Sequence, residues 1–177
     1  MIRSAVLRAA VVILLAAPCA LGAQVKQEEP NLRKIADDTK FQNALTFISL
    51  KKYDRALVEL AEYLEVFVNG SHRREAYART GDIHFERFDY RLAIRAYRTL
   101  SEEFSGSPEG IEALYRIGLC YRKMGRTAKA LALFKRIIAE HPDSDAALQA
   151  KNQLDILDII EKDNASAKNE ESAVKKP

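Results

Sequence analysis

His72, His84 and His141, with the adjacent carboxylates Asp37-Asp38 and Glu102-Glu103, are the side chains that could move protons or hold a metal. Metal binding needs ligands at set spacings, such as His-Glu-x-x-His, and no such spacing occurs. His84 stands in register with Phe47 and Tyr121 in the repeat described below, which predicts a hydrogen-bonded structural histidine. His72 and His141 fall at helix ends, where solvated roles are expected, and the two carboxylate pairs read as helix-end surface charge. No glycine-rich phosphate loop is present, because the seven glycines are scattered or fall in turns, and no serine sits on a nucleophile elbow. Cys120 lies among helix-periodic apolar residues and reads as a buried small hydrophobe. This set predicts no catalytic, cofactor or metal site and a protein that is not an enzyme.

The elements that position these residues follow from composition and periodicity. The chain is 47% hydrophobic and 30% charged, which suits a globular domain and excludes a disordered or membrane-embedded one. Residues 1–23 form a separate unit. Arg3 and Arg8 make a positive start, an apolar run covers 9–17, and Ala20-Leu-Gly22 supplies small residues for cleavage. The expectation is a removed signal peptide and a periplasmic or secreted product. The nine-residue run before Pro18 is short of the roughly 20 residues a membrane span needs, so an uncleaved anchor is the alternative, and lipidation at Cys19 a third. Without Arg3 and Arg8 the net charge falls from +3 to +1 (3 − 2), which gives nucleic-acid binding no support. Cleavage removes Cys19 and leaves Cys120 as the one thiol, so no intrachain disulfide is expected.

A register of 37 residues then organises the rest. It relates Ala56, Ala93 and Ala130; Ala76, Ala113 and Ala150; Leu60, Tyr97 and Phe134; Phe47, His84 and Tyr121; and Gly81 with Gly118. Each unit reads as two antiparallel helices, with first helices at 34–50, 72–87 and 109–124 and second helices at 53–67, 90–104 and 127–140. Ser71, Ser107 and Asp143 or Ser144 are the expected N-caps, and Pro108 suits a first helical turn. A last helix from about 145 to 161 closes the stack. The expected domains are a linker at 24–33, a helical-repeat domain at 34–161, and a disordered charged tail at 162–177. Gly118 costs about 1 kcal/mol in a helix, so a close approach by a neighbouring helix is required there.

Leu114, Ile117-Gly118, Tyr121, Ala130, Phe134 and Pro142 resemble the tetratricopeptide repeat, whose units carry a leucine–glycine step, an aromatic, an alanine, a phenylalanine and a proline. Tyr77, Thr80-Gly81, His84, Ala93 and Tyr97 match less fully, and Lys40, Asn43-Ala44, Phe47, Ala56 and Leu60 least. The resemblance implies an all-α, right-handed superhelical solenoid of three helix-turn-helix units plus a C-terminal capping helix. The longer unit and the Glu140–Lys151 junction also look like a bacterial cell-envelope subgroup that includes the carboxy-terminal domain of Tol–Pal accessory proteins and an outer-membrane assembly lipoprotein.

In the resembled family the first helices line a concave groove. Carried over, the groove residues are Phe41, Leu45 and Ile48, then Asp82 and Phe85, then Tyr115, Leu119 and Arg122. Ala44 and Phe47 already supply the core side of the first helix, so Phe41, Leu45 and Ile48 form a surplus apolar stripe, expected to be exposed. The occupant would be a helix or peptide of another envelope protein, with Arg122 and the acidic residues setting register. Alternatively the segment 25–35 folds back over Phe41 and Leu45, or the stripe is a homo-oligomer contact. The functional expectation is an exported interaction scaffold, possible as a homo-oligomer or peripheral to a membrane. An oligomeric accessory subunit and a small-molecule or lipid receptor are the alternatives.

Overall fold

The computed structural model describes residues 32–174, with side chains through residue 159, so the expected leader and most of the linker lie outside the described residues. Seven helices and no strand are found among the described residues. They are α1 (32–49), α2 (Tyr53–Val66), α3 (Arg73–Glu86), α4 (Tyr90–Glu103), α5 (Pro108–Lys123), α6 (Thr127–Glu140) and α7 (Asp145–Val174). The first six meet the expected spans to within two residues. The seventh runs on past the expected end at 161. Residues 145–174 contain neither glycine nor proline and are rich in alanine, glutamate and lysine, so nothing in the chain breaks the helix there.

The helices stack as three antiparallel pairs, each first helix wedged between its own partner and the pair before it. α5 thus packs on both α4 and α6, and α7 closes the end against α5 and α6. The core is one layer of alternating bulk and smallness. Phe134 and Tyr97 are fully or almost fully buried, and Gly118 and Gly81 face them. A methyl carbon added at Gly118 would stand 2.4 Å from Phe134 Cε1, and one added at Gly81 would stand 2.4 Å from Tyr97 Cε1. The first unit solves the same problem differently: Ala44 takes the small position and Leu60 the large one, both fully buried in one cluster. Alanine is thus found where the facing side chain is leucine, and glycine where it is an aromatic ring.

Helix ends are held locally. The Ser107 hydroxyl accepts from the Gly110 N–H at 3.1 Å with Pro108 in the first turn, and the Ser144 hydroxyl accepts from the Ala147 N–H at 3.1 Å. Ser71 departs from its expected capping role. His72 takes the cap position of α3, while the Ser71 N–H and hydroxyl both donate to Asp37, at 2.9 and 3.1 Å. Asp37 also accepts from the Tyr63 hydroxyl at 2.6 Å, and that phenol accepts from the His72 N–H at 2.9 Å. This buried knot ties α1 to the α2–α3 junction. Burial opposes the Asp37 charge, but the Tyr63 and Ser71 donors outweigh it and hold the carboxyl below its ordinary value.

Candidate partner-binding trough

The expected apolar stripe on the first helices is largely not exposed. Phe41 is 3% exposed and Tyr115 6% exposed. Phe41 is stacked on the His72 ring, with centroids 4.6 Å apart, and tilts against Tyr63. Tyr115 packs on Phe134 and on the Ala146, Ala147 and Ala150 face of α7. Leu45 and Leu119 are half-buried against the same clusters. The reason is geometric: a first helix in a stack touches its own partner and the next first helix, so it buries a wider arc than an isolated hairpin needs. The described part of the segment 25–35 does not fold back over Phe41. Residues 32–35 continue α1, with Leu32 and Ile35 pointing outward, and 25–31 lie outside the described residues.

Three of the expected residues do line an open surface. Ile48, Asp82 and Phe85, with Tyr53, Arg79 and Arg116, border a cleft of about 520 Å³ on the inner face. A second cleft of about 610 Å³ lies between α3, α5 and α7 and is bordered by Asp82, Glu112, Arg116 and Gln149. Asp82 and Arg116 belong to both, so the two make one trough along the stack. Arg122 is half-buried and lines neither cleft.

The trough floor is a ladder of paired charges. Arg79 bonds Glu75 at 2.9 Å, and Arg116 bonds Glu112 at 2.9 Å, each one helical turn apart. Asp82 accepts from the Tyr97 hydroxyl at 2.7 Å. Gln149 reaches Glu112 at 3.4 Å. Burial raises the Tyr97 phenol, and the Asp82 carboxylate raises it further, so it remains a donor. Partial burial works against the Arg116 charge, but the Glu112 hydrogen bond outweighs it. Sequence reasoning missed Arg79 and Arg116 as trough residues, although the signal was there: they are 37 apart, as are Glu75 and Glu112.

Of the chemistry-capable residues only His72 and the Asp37-Asp38 pair come together: His72, expected to be solvated, is half-buried against Phe41 with its Nε2 2.8 Å from an Asp38 carboxylate oxygen, while His84 and His141 stand apart. His84 is half-buried, and its Nδ1 has no hydrogen-bond partner, unlike the hydrogen-bonded histidine expected from sequence. Burial holds its imidazole below the ordinary value. Burial also pushes the Cys120 thiol up to about 12. Among the described residues no group of three or more His, Cys, Asp or Glu is placed to hold a metal, and no helix is long and apolar enough to cross a membrane.

With this geometry in place, the comparisons agree on the class. The tetratricopeptide repeat profile matches residues 112–144. Among curated proteins, none matches the sequence. The fold is similar to the N-terminal domain of stress-induced protein-1 (STI-1) from C. elegans, at 16% identity and a TM-score of 0.57 over 67% of this chain and 94% of that one. It is also similar to MamA from Desulfovibrio magneticus RS-1, at 17% identity and a TM-score of 0.56 over 78% and 73%. The TPR2AB domain of yeast Sti1, solved in complex with pHSP90, matches at 18% identity and a TM-score of 0.59 over 73% and 50%. The chain is a tetratricopeptide-type, right-handed helical solenoid of three units with a closing helix.

Proposed function

We propose that this protein is a non-catalytic interaction scaffold that holds a helix or extended segment of another protein in the inner trough. The observation that carries this reading is the continuity of the two clefts through Asp82 and Arg116. Ile48 and Phe85 supply an apolar anchor at one end, and the charge ladder supplies hydrogen-bonding register along the rest. The complex of yeast Sti1 with pHSP90 supports the reading, since a similar fold there carries a protein partner. The leader-like residues 1–23 and the envelope-type junction support export to the bacterial cell envelope, with partners among envelope proteins.

A photo-crosslinking residue placed at Phe85, with Val58 on the outer face of α2 as control, tests this in the native cells. The expected result is a discrete protein adduct from position 85, absent from position 58 and lost with Arg116→Glu. Adducts indistinguishable between the two positions would end the trough reading. A specific adduct with a cytoplasmic protein would leave the scaffold standing and end the envelope assignment.

A further inference from the structure

The outer face carries a second surface with different chemistry. α4 and α6 flank α5 without packing extensively on one another, and a groove of about 750 Å³ lies between them. Its floor is apolar, formed by Leu114, Ile117, Tyr121 and Leu133, and its rim bears Arg98, Lys129 and Arg136. Arg91, Arg95 and Arg98 recur at four- and three-residue steps, so they share one face of α4. Arg91 and Arg95 border a separate cleft with Phe88, Met124 and Asp89, the last 3.9 Å from Arg87, so the strip runs along α4 beyond the groove.

Few of these cations are paired within the fold. Among the described residues, Arg91, Arg95, Arg98 and Lys129 make no ion pair, and Lys129 only rests over the Tyr121 ring at 5.8 Å. Arg136 has one partner, Glu140 at 3.6 Å, and Glu102 is the other rim carboxylate. The run 113–139 contains seven Lys or Arg and no Asp or Glu. Phe88 adds an independent sign. It is 76% exposed, and its φ of 63° is a left-handed conformation that a bulky side chain rarely adopts. Lys51 and Gly125 hold the equivalent turn positions of the other two units, 37 residues away on either side, also with positive φ. Its ring contact is edge-on to Tyr90, with centroids 6.3 Å apart, and most of the side chain faces solvent.

We infer that the α4–α6 groove docks an acidic amphipathic peptide segment of another protein, its apolar side chains on the groove floor and Phe88 and its carboxylates on the Arg91–Arg95–Arg98 strip and Lys129. The groove is walled on one side by 98–106 and on the other by 129–141, which suits a peptide better than a flat lipid surface. The unpaired cations give it the charge complementarity that sets on-rate and partner choice.

Fluorescence anisotropy with the full chain tests this, using a labelled synthetic helix with leucines on one face and glutamates on the other. Its lysine counterpart and a leucine-free glutamate peptide serve as comparisons. The leucine–glutamate helix should bind and the lysine helix should not. Arg98→Glu with Lys129→Glu should weaken binding by about tenfold or more, and added salt should weaken it too. Lys151→Glu, on α7, should leave it unchanged. Phe88→Gly separates docking from folding: its melting midpoint should rise as the turn relaxes, while peptide affinity falls. No binding, equal binding of the leucine-free peptide, equal loss with Lys151→Glu, or undiminished affinity in Phe88→Gly would each overturn the inference. So would rim-dependent binding of anionic vesicles or an oligonucleotide without peptide binding, and so would rim-dependent self-association that the peptide does not displace.

Discussion

Replacing Gly118 with alanine tests the packing rule at its tightest point. In an open helix this change gains about 1 kcal/mol. Here the new methyl carbon would stand 2.4 Å from Phe134 Cε1 and 2.9 Å from Cζ. Non-bonded carbons rest at about 3.5–4.0 Å, so the ring must retreat by roughly 1 Å. It has little room, being fully buried among Tyr115, Ile137 and the α7 alanines. Overpacking of this kind costs about 1–3 kcal/mol, so Gly118→Ala is expected to lose about 1 kcal/mol net of the helical gain. Phe134→Leu alone should also lose about 1 kcal/mol, from the cavity it opens. The double variant recreates the Ala44 and Leu60 arrangement of the first unit and should recover at least about 0.5 kcal/mol relative to the sum. Urea unfolding followed by circular dichroism gives all four corners of the cycle. A Gly118→Ala chain more stable than the parent, or strict additivity of the two changes, would refute the reasoning.

Two further changes probe polar groups in the stack. Asp37→Asn removes the charge that Tyr63 and Ser71 bond to and should cost about 1–3 kcal/mol, measured by urea unfolding at neutral pH. Because the native carboxyl is held below its ordinary value of 3.8, its contribution is present above that pH and is lost as pH falls through the lower native value, so the gap between parent and variant should close there. His84→Phe places at the third equivalent position the kind of ring found at Phe47 and Tyr121 and removes an imidazole nitrogen that lacks a partner. With the native imidazole held below 6.5, the unfolded chain takes up its proton first as pH falls, so the parent should weaken below that pH and the variant should not. The gain should therefore be larger in acid, read from the difference in urea midpoints between about pH 7.5 and about pH 5.5.

The solenoid was legible because its determinants are local and repeated. Gly81 and Gly118, and Leu60, Tyr97 and Phe134, announce themselves by register alone, and they meet in space as the register requires. The groove was only partly legible. Ile48, Asp82 and Phe85 line it, but Phe41 and Tyr115 are covered by His72 and by α7, and burial by the next unit cannot be read from one helix's own periodicity. The Asp37, Tyr63 and Ser71 knot was invisible for a related reason. Its partners are 26 and 34 residues apart and occur in one unit only, since Leu100 and Ile137 stand in place of Tyr63 in the other two, so no repeat signal marks it.

The two faces divide recognition between them. On the inner face Glu75 and Arg79, and Glu112 and Arg116, already neutralise one another across a helical turn. At those pairs an entering charge finds little net field, but Glu109, Asp143 and Asp145 also border the cleft between α3, α5 and α7, so that end of the trough is acidic. Shape, the apolar end at Ile48 and Phe85, and this acidic end together decide what is held there. On the outer face Arg91, Arg95, Arg98 and Lys129 have no such partners among the described residues, so their field extends into solvent and acts on an approaching molecule over about a Debye length. The two surfaces therefore carry opposite charge: a basic segment is favoured at the acidic end of the trough and an acidic one along α4, and added salt should weaken both. A single protein could then hold a basic segment on one face and an acidic one on the other, with the sign of the ligand's charge as the variable that tells the two surfaces apart.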